Sequence, residues 1–266
     1  MRWMKIGVLL AAITMAGDTM ADDNAKKELA PNGTLRVGLV FAPSMSLFFV
    51  VKDANGQARG VTHDIGKALG ASLGLPVEFV LFPNSGLATD ATESGAVDVS
   101  FMPVDEERKK RIAFGTNYTL GESTYMATGA SGAKTVEEVD RAGMRVIGIA
   151  NTTTIRAATR TLKNTTIAPV TSVEDAVSAL RDGKADAFAL SRDSLPTYVK
   201  QIAGSRIVDG AFQQIGIAIA VKKGKEAALG LVTDFLEDAK KSGVVRKALD
   251  AAGYPDSPVA PAGSRS

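Results

Sequence analysis

The stretch "ESGAVDVSFMP" at residues 93–103 carries Gly95 and Asp98 between the end of a helix and an apolar strand, and "RDGKADAFALS" at residues 181–191 carries Gly183 and Asp186 in the same relation. A second echo precedes each: "LRVGLV" at residues 35–40 and "RVIGIA" at residues 145–150. Either match alone is an ordinary helix-to-strand turn. Both in the same order predict two similar lobes in one chain.

Outward from residue 93, the spacing predicts strands at 34–40, 48–52, 77–81 and 97–101. Between them lie turn chemistry at Asp53-Ala54-Asn55-Gly56, a helix from Asp64, capped by its carboxylate, to Leu73-Gly74, and a helix from Ala88 to Ser94. Alternating elements of this length argue an α/β fold with a mostly parallel sheet. Thr135 and Glu138 form a capping box for a short helix. The segment 115–131, rich in Gly, Ser and Thr, is read as a first crossing between lobes, with a strand at 123–128. A second crossing at 210–216 returns the chain through the strand "IGIAIAV" to helices at 225–241 and 244–251. Lobe 1 is thus expected at 32–118 and 217–255, and lobe 2 at 124–211. The Pro/Ser/Gly-rich tail 256–266 is expected to fray.

The chain has 266 residues, 45% hydrophobic, with 31 basic against 29 acidic side chains, which excludes a disordered chain and the footprint of a nucleic-acid binder. Residues 1–21 place Arg2 and Lys5 before a short apolar run and Thr19-Met20-Ala21, the pattern of a cleaved secretory signal. The run falls short of a membrane span, which needs roughly 20 apolar residues. No Cys occurs, so no disulfide and no cysteine-linked lipid is available. A soluble periplasmic protein is the expectation. His63 is the only histidine, and no nucleophile-elbow, phosphate-loop or dinucleotide motif occurs, so neither metal nor cofactor is expected.

Ligands of open α/β sheets bind beyond the strands' carboxyl ends. The strand at 97–101 delivers Ser100 and Met102 to that edge, Pro103 breaks the ladder, and Arg108 falls about a turn into a helix starting near Asp105. A guanidinium holds a carboxylate by two parallel hydrogen bonds. The residues alone leave Arg108 open between that role and a solvated face shared with Lys109, Lys110 and Arg111. In lobe 2, Asn151, Thr152, Thr153 and Thr154 sit between a strand end and a helix N-terminus, where hydroxyls and free N–H groups suit a carboxylate or simply cap the helix.

The stretch "VDVSFMPVDEERKKRIAFGTNY" at 97–118 resembles the central signature of the periplasmic solute-binding proteins, family 3 type, that feed ABC importers of polar amino acids. The resemblance runs from Leu35 to about Gly253 through "KDANGQARGVTHDIGKALG", "SGAVDV", "RVIGIANTTT", "LRDGKADAFAL" and "FLEDAKKSGVVRKAL". It implies a two-lobed periplasmic-binding-protein fold of type II, and a monomer that captures a small carboxylate solute by hinge closure and hands it to a membrane permease. It assigns Arg108 to the ligand carboxylate and the lobe 2 turn, Thr154 before Thr153, to the opposing contact; Arg156 is read as a surface residue. It makes Phe41 a ring on the ligand or a core residue, and places Asn84 where a second ring is usual. The position of the family's ammonium-binding Asp is Ser191, with Asp193 and Glu122 as compensating or merely solvated carboxylates. Two alternatives follow: an enzyme resembling secreted cyclohexadienyl dehydratases, with Glu122 or Asp193 as general acid, and an accessory protein that feeds a sensor.

Overall fold

A computed structural model describes residues 23–266; the expected leader, 1–21, lies outside the described residues. In lobe 1, strand β1 (Leu35–Phe41) pairs in parallel with β2 (Phe49–Lys52), β4 (Val77–Phe82) and β5 (Val99–Pro103), and β3 (Ala58–Arg59) folds back antiparallel on β2. Helices α1 (Val61–Leu73) and α2 (Ser85–Ser94) connect them. In lobe 2, β7 (Val146–Ile149) lies parallel between β8 (Ile167–Val170) and β9 (Ala187–Ser191). Helices α5 (Thr153–Thr161) and α6 (Val173–Arg181) serve the same purpose there.

The echoed sequence produces an echoed clasp. Asp98 accepts from Arg36 through the backbone N–H at 2.8 Å, Nε at 3.1 Å and Nη2 at 2.6 Å. Asp186 accepts from Arg145 through the backbone N–H at 2.9 Å, Nε at 2.9 Å and Nη2 at 2.6 Å. In both lobes Nη1 donates to a carbonyl of the preceding turn, Ala96 in one and Gly183 in the other, and in lobe 1 Nη2 is shared with the Gly95 carbonyl. The clasp locks the first strand of each lobe to the strand that begins after the Gly-x-x-Asp turn.

The crossing is a two-stranded ribbon. Strand β6 (Ile112–Ala127) is continuous, where the sequence predicted an open Gly/Ser/Thr segment with a short strand. It pairs antiparallel with β11 (Gln213–Lys222) from Ile112 to Ser123 and with β9 from Ser123 to Ala127. Each crossing strand satisfies the other's backbone groups, so Gly115 and Gly121 do not break the ladder. Register shifts between Ile217 and Ala220 interrupt the ladder inside lobe 1, where β11 also pairs with β5. Helices α8 (Glu226–Lys241) and α9 (Val244–Ala251) then pack against β6, β11 and α1.

Local starts differ from the sequence reading for identifiable reasons. Helix α1 begins at Val61, because Gly60 at φ 146° turns the chain; Asp64 sits in the first turn and is not the cap. Helix α2 begins at Ser85, because the Asn84 side chain accepts the Leu87 N–H at 3.0 Å. Strand β5 includes Pro103, which pairs opposite Ile217 at the strand's last position, where the missing N–H is tolerated. The tail is docked, not frayed. Ala260 N–H donates to Tyr118 at 3.0 Å, Thr119 Oγ1 to Pro258 O at 2.7 Å, and Gly216 N–H to Ser266 Oγ at 2.9 Å. These bonds lay residues 258–266 along β6 and β11.

Candidate functional site

Helix α3 (Glu106–Lys109) is a single turn started by Asp105, whose Oδ1 accepts the Arg108 N–H at 2.8 Å. From that cap Arg108 turns inward, and only 2% of the residue is exposed. Its Nη1 donates to Pro103 O at 2.8 Å and its Nη2 to Ser85 Oγ at 2.6 Å. Proline's carbonyl at the end of β5 thus anchors the guanidinium. Lys109 and Lys110 are tied to Glu106 and Glu107 at the surface, and Arg111 to Asp90 and Glu93.

No carboxylate among the described residues hydrogen-bonds the Arg108 guanidinium. Burial pushes its pKa down to about 9; the nearby Asp105 charge opposes that shift and Arg156 and Arg111 add to it. The side chain is still a cation at neutral pH, and a buried cation without a directly bonded anion is costly.

Ser85 and Pro103, which the guanidinium grips, also line a small cavity between the lobes. Its volume is about 20 Å³, room for about one water. Lobe 1 lines it with Phe48, Phe49 and Asn84, and lobe 2 with Thr152, Thr153, Thr154, Leu190 and Ser191. A more open cavity of about 380 Å³ is lined by Arg108 itself with Asp90, Glu107, Arg111, Asn151 and Arg156. The Arg108 guanidinium meets the first cavity through its partners Ser85 and Pro103, which line it.

The lobe 2 wall is built by the start of α5. Thr152 caps the helix, accepting from the Ile155 N–H at 3.2 Å while its hydroxyl donates to Ile149 O at 2.7 Å. Asn151, just before it, has φ 60°, the left-handed turn that aims the helix N-terminus at the cleft. Thr153 is buried, and Thr154 Oγ1 lies 3.5 Å from Ser123 Oγ on the crossing strand.

Several residues singled out in the sequence lie elsewhere. Ser100 and Met102 share the face of β5 that packs under α2: Ser100 Oγ meets Thr92 Oγ1 at 2.6 Å, and Met102 Sδ accepts from Thr89 at 3.3 Å. Strand alternation sends both into the lobe 1 core, away from the cleft. Phe41 is half-buried beneath Lys52, whose Nζ is 5.3 Å from the ring centroid; the rings that line the cavity are Phe48 and Phe49, 4.2 Å apart. The signal for them was present in "SLFFV" and was read only as a strand. Asn84 lines the cavity, but its Oδ1 serves the α2 cap.

Ser191 lines the cavity with its hydroxyl 2.7 Å from Ser194 Oγ. Asp193 does not line it. Its Oδ2 reaches across to the Leu47 N–H at 2.6 Å, and burial pushes its pKa up against the opposing pull of that N–H and of Ser191. Glu122 accepts from Arg192 Nε at 3.0 Å and from Gln214 Nε2 at 3.1 Å, tying the two crossing strands to lobe 2. Arg156, expected at the surface, is instead three-quarters buried against lobe 1. Its Nε donates to Asp105 Oδ2 at 3.0 Å and its Nη2 bonds the same oxygen, a salt bridge from α5 of lobe 2 to α3 of lobe 1. Burial raises the Asp105 pKa, but bonds from Arg108 N–H, Arg156 and Thr153 outweigh it and leave the carboxyl below its usual range. Ser44 Oγ and Thr197 Oγ1, 2.9 Å apart, add another cross-lobe contact.

A sheet folded into two lobes, a ribbon of two crossing strands and a buried cation beside the interlobe cavity define a bilobal solute receptor. The chain belongs to the bacterial extracellular solute-binding proteins, family 3, which match residues 40–251. It is a solute-binding protein of the kind that serves ABC importers. It is 25% identical over 252 residues to the L-cystine-binding protein TcyJ of Escherichia coli (strain K12), covering 91% of each chain. The crystal structure of the ancestral amino acid-binding protein AncCDT-1, a precursor of cyclohexadienyl dehydratase, is similar at 29% identity and a TM-score of 0.73, over 85% of this chain and 97% of that one. The solute receptor for L-cysteine of Neisseria gonorrhoeae shares the fold at a TM-score of 0.76 and 23% identity, over 87% of this chain and 93% of that one.

Proposed function

We propose that this protein captures a small carboxylate-bearing solute between its lobes, with Arg108 as the group that receives the carboxylate. The observation that carries the reading is the buried Arg108 guanidinium, anchored on a carbonyl and a hydroxyl and bonded to no carboxylate. An anion there supplies charge-assisted hydrogen bonds that no protein group makes. The closed cavity of about 20 Å³ requires the lobes to part for entry, and β6 and β11, the two strands that join the lobes, are where they hinge. Thr153 and Thr154 then close over the solute from lobe 2.

Delivery to a membrane permease from the periplasm, by a monomer released from its leader, completes the proposal. Binding without turnover is favoured because neither acid that a dehydratase mechanism would use is free in the cleft: Glu122 is bridged to Arg192, and Asp193 is held by Leu47. Prephenate and arogenate should therefore be recovered unchanged after incubation with the protein.

The test is a thermal-shift screen of amino acids, opines and small di-acids against the mature protein, since a ligand specific for the folded state raises its Tm. Arg108→Ala is expected to abolish the shift given by the best ligand, an affinity loss of about 100-fold or more, while circular dichroism stays native. A variant that keeps the same affinity overturns the assignment of Arg108.

A further inference from the structure

The charges around the cleft bear on which carboxylates the site accepts. Among the described residues no carboxylate lines the interlobe cavity; its polar atoms belong to Asn84, Ser85, Thr152, Thr153, Thr154 and Ser191. Every nearby acid is already engaged. Asp105 gives one oxygen to the Arg108 N–H and the other to Arg156. Asp193 is bonded to the Leu47 N–H. The larger cavity, which Arg108 itself lines, also carries Asp90, paired with Arg111, and Glu107, paired with Lys110. The guanidinium of Arg108 is left as the charge with no bonded partner of opposite sign.

A solute carrying an ammonium beside its carboxylate would match Arg108 at one end and bury an unpaired cation at the other. An uncompensated buried charge costs several kcal/mol; hydroxyls accept an ammonium's hydrogen bonds but supply no opposing charge. A hydroxyl or carbonyl oxygen in the same place meets donors and acceptors on Ser191 and the threonines of α5. Resting on the carboxylate reading above, we propose that the cleft selects a small 2-hydroxy or 2-oxo carboxylate over the corresponding 2-amino acid.

Matched pairs test this by isothermal titration calorimetry of the mature protein: lactate and pyruvate against alanine, 2-hydroxy- and 2-oxoisovalerate against valine, phenyllactate against phenylalanine. In whichever series binds, the hydroxy or oxo acid is expected to bind tighter than the amino acid by roughly tenfold or more. Ser191→Asp, which places a carboxylate in the cleft wall, is expected to shift that ratio toward the amino acid by about tenfold. An amino acid that binds the unmodified protein as tightly as its partner, and still requires Arg108, overturns the selectivity and leaves the carboxylate reading standing. Hydroxy or oxo acids whose binding survives Arg108→Ala, or the absence of binding in all three series, overturn this proposal together with its basis. A folded Ser191→Asp protein with an unchanged ratio refutes the missing counter-charge as the cause.

Discussion

Lobe 1 and lobe 2 hold their strands with the same Arg–Asp clasp in different surroundings. The Asp98 side chain is 1% exposed and its Arg36 partner 24%; the Asp186 side chain is 16% exposed and its Arg145 partner 53%. Lobe 1 receives the chain twice, and the returning helices α8 and α9 thicken the layer over its sheet. Lobe 2 is built from a single excursion, and its clasp opens to water. The same motif is therefore buried structure in one lobe and a screened surface pair in the other. The thicker lobe holds Arg108; the thinner one brings the Thr152 cap and Arg156 to meet it.

The sharpest way to break this comparison is Asp98→Ala. It empties a buried site and leaves the Arg36 N–H and Nε without their acceptor, while the quarter-exposed guanidinium keeps its bonds to Gly95 and Ala96; the expected loss is about 2 kcal/mol and a Tm lower by roughly 6 °C in calorimetry. Gly86→Ala acts on closure instead. A Cβ there would stand 2.7 Å from Asn151 Cβ and 3.1 Å from its carbonyl oxygen across the cleft. Solute affinity is expected to fall about tenfold, while thermal stability without solute holds or rises, since Ala favours the helix. A variant with unchanged affinity would mean that α2 and Asn151 do not meet in the loaded state.

Arg156→Ala removes the bridge from lobe 2 to Asp105. Because Arg156 is a quarter exposed, the expected cost is about 1 kcal/mol, a roughly fivefold weaker Kd. Arg156→Lys should recover part of it. The smallest effect is expected of Asp186→Ala, a stability loss well under that of Asp98→Ala. The hydrogen bond from Arg145, opposed by burial and aided by its backbone N–H, holds the Asp186 carboxyl below its usual 3.8. A depressed carboxyl lends stability that is full above that usual value and is lost as pH falls through the lower folded value. Denaturant titrations from pH 6 to pH 2 should show this acid loss in the parent and a shallower one in Asp186→Ala. Equal losses for the two Asp variants would erase the distinction between the lobes.

Part of the site was legible in the residues. The Thr run at 152–154 follows a strand, which is a local pattern, whereas Arg108 is singled out from Lys109, Lys110 and Arg111 by the resemblance and not by its own neighbours. Ser100 and Met102 were misplaced because a strand covered by helices on both faces shows no polar alternation, so the sequence does not say which face meets the cleft. Arg156 and the docked tail were missed for a different reason. Their partners, Asp105 at one end and Tyr118, Thr119 and Gly216 at the other, are far away in sequence.

By itself, then, the sequence determined the alternation of strands and helices, the duplicated Arg…Gly-x-x-Asp frame and the Thr run at the start of a helix in lobe 2. Each follows from periodicity, turn chemistry or capping within a few residues. That Arg108 turns inward was decided by its tertiary partners, Pro103 O and Ser85 Oγ. The tertiary structure alone decided that β6 runs unbroken, that Asp193 and Glu122 are engaged elsewhere, and that Arg156 spans the cleft. Those outcomes depend on backbone pairing and charge matching between residues dozens of positions apart, where burial and the proximity of a partner set the energy and neighbouring residues do not.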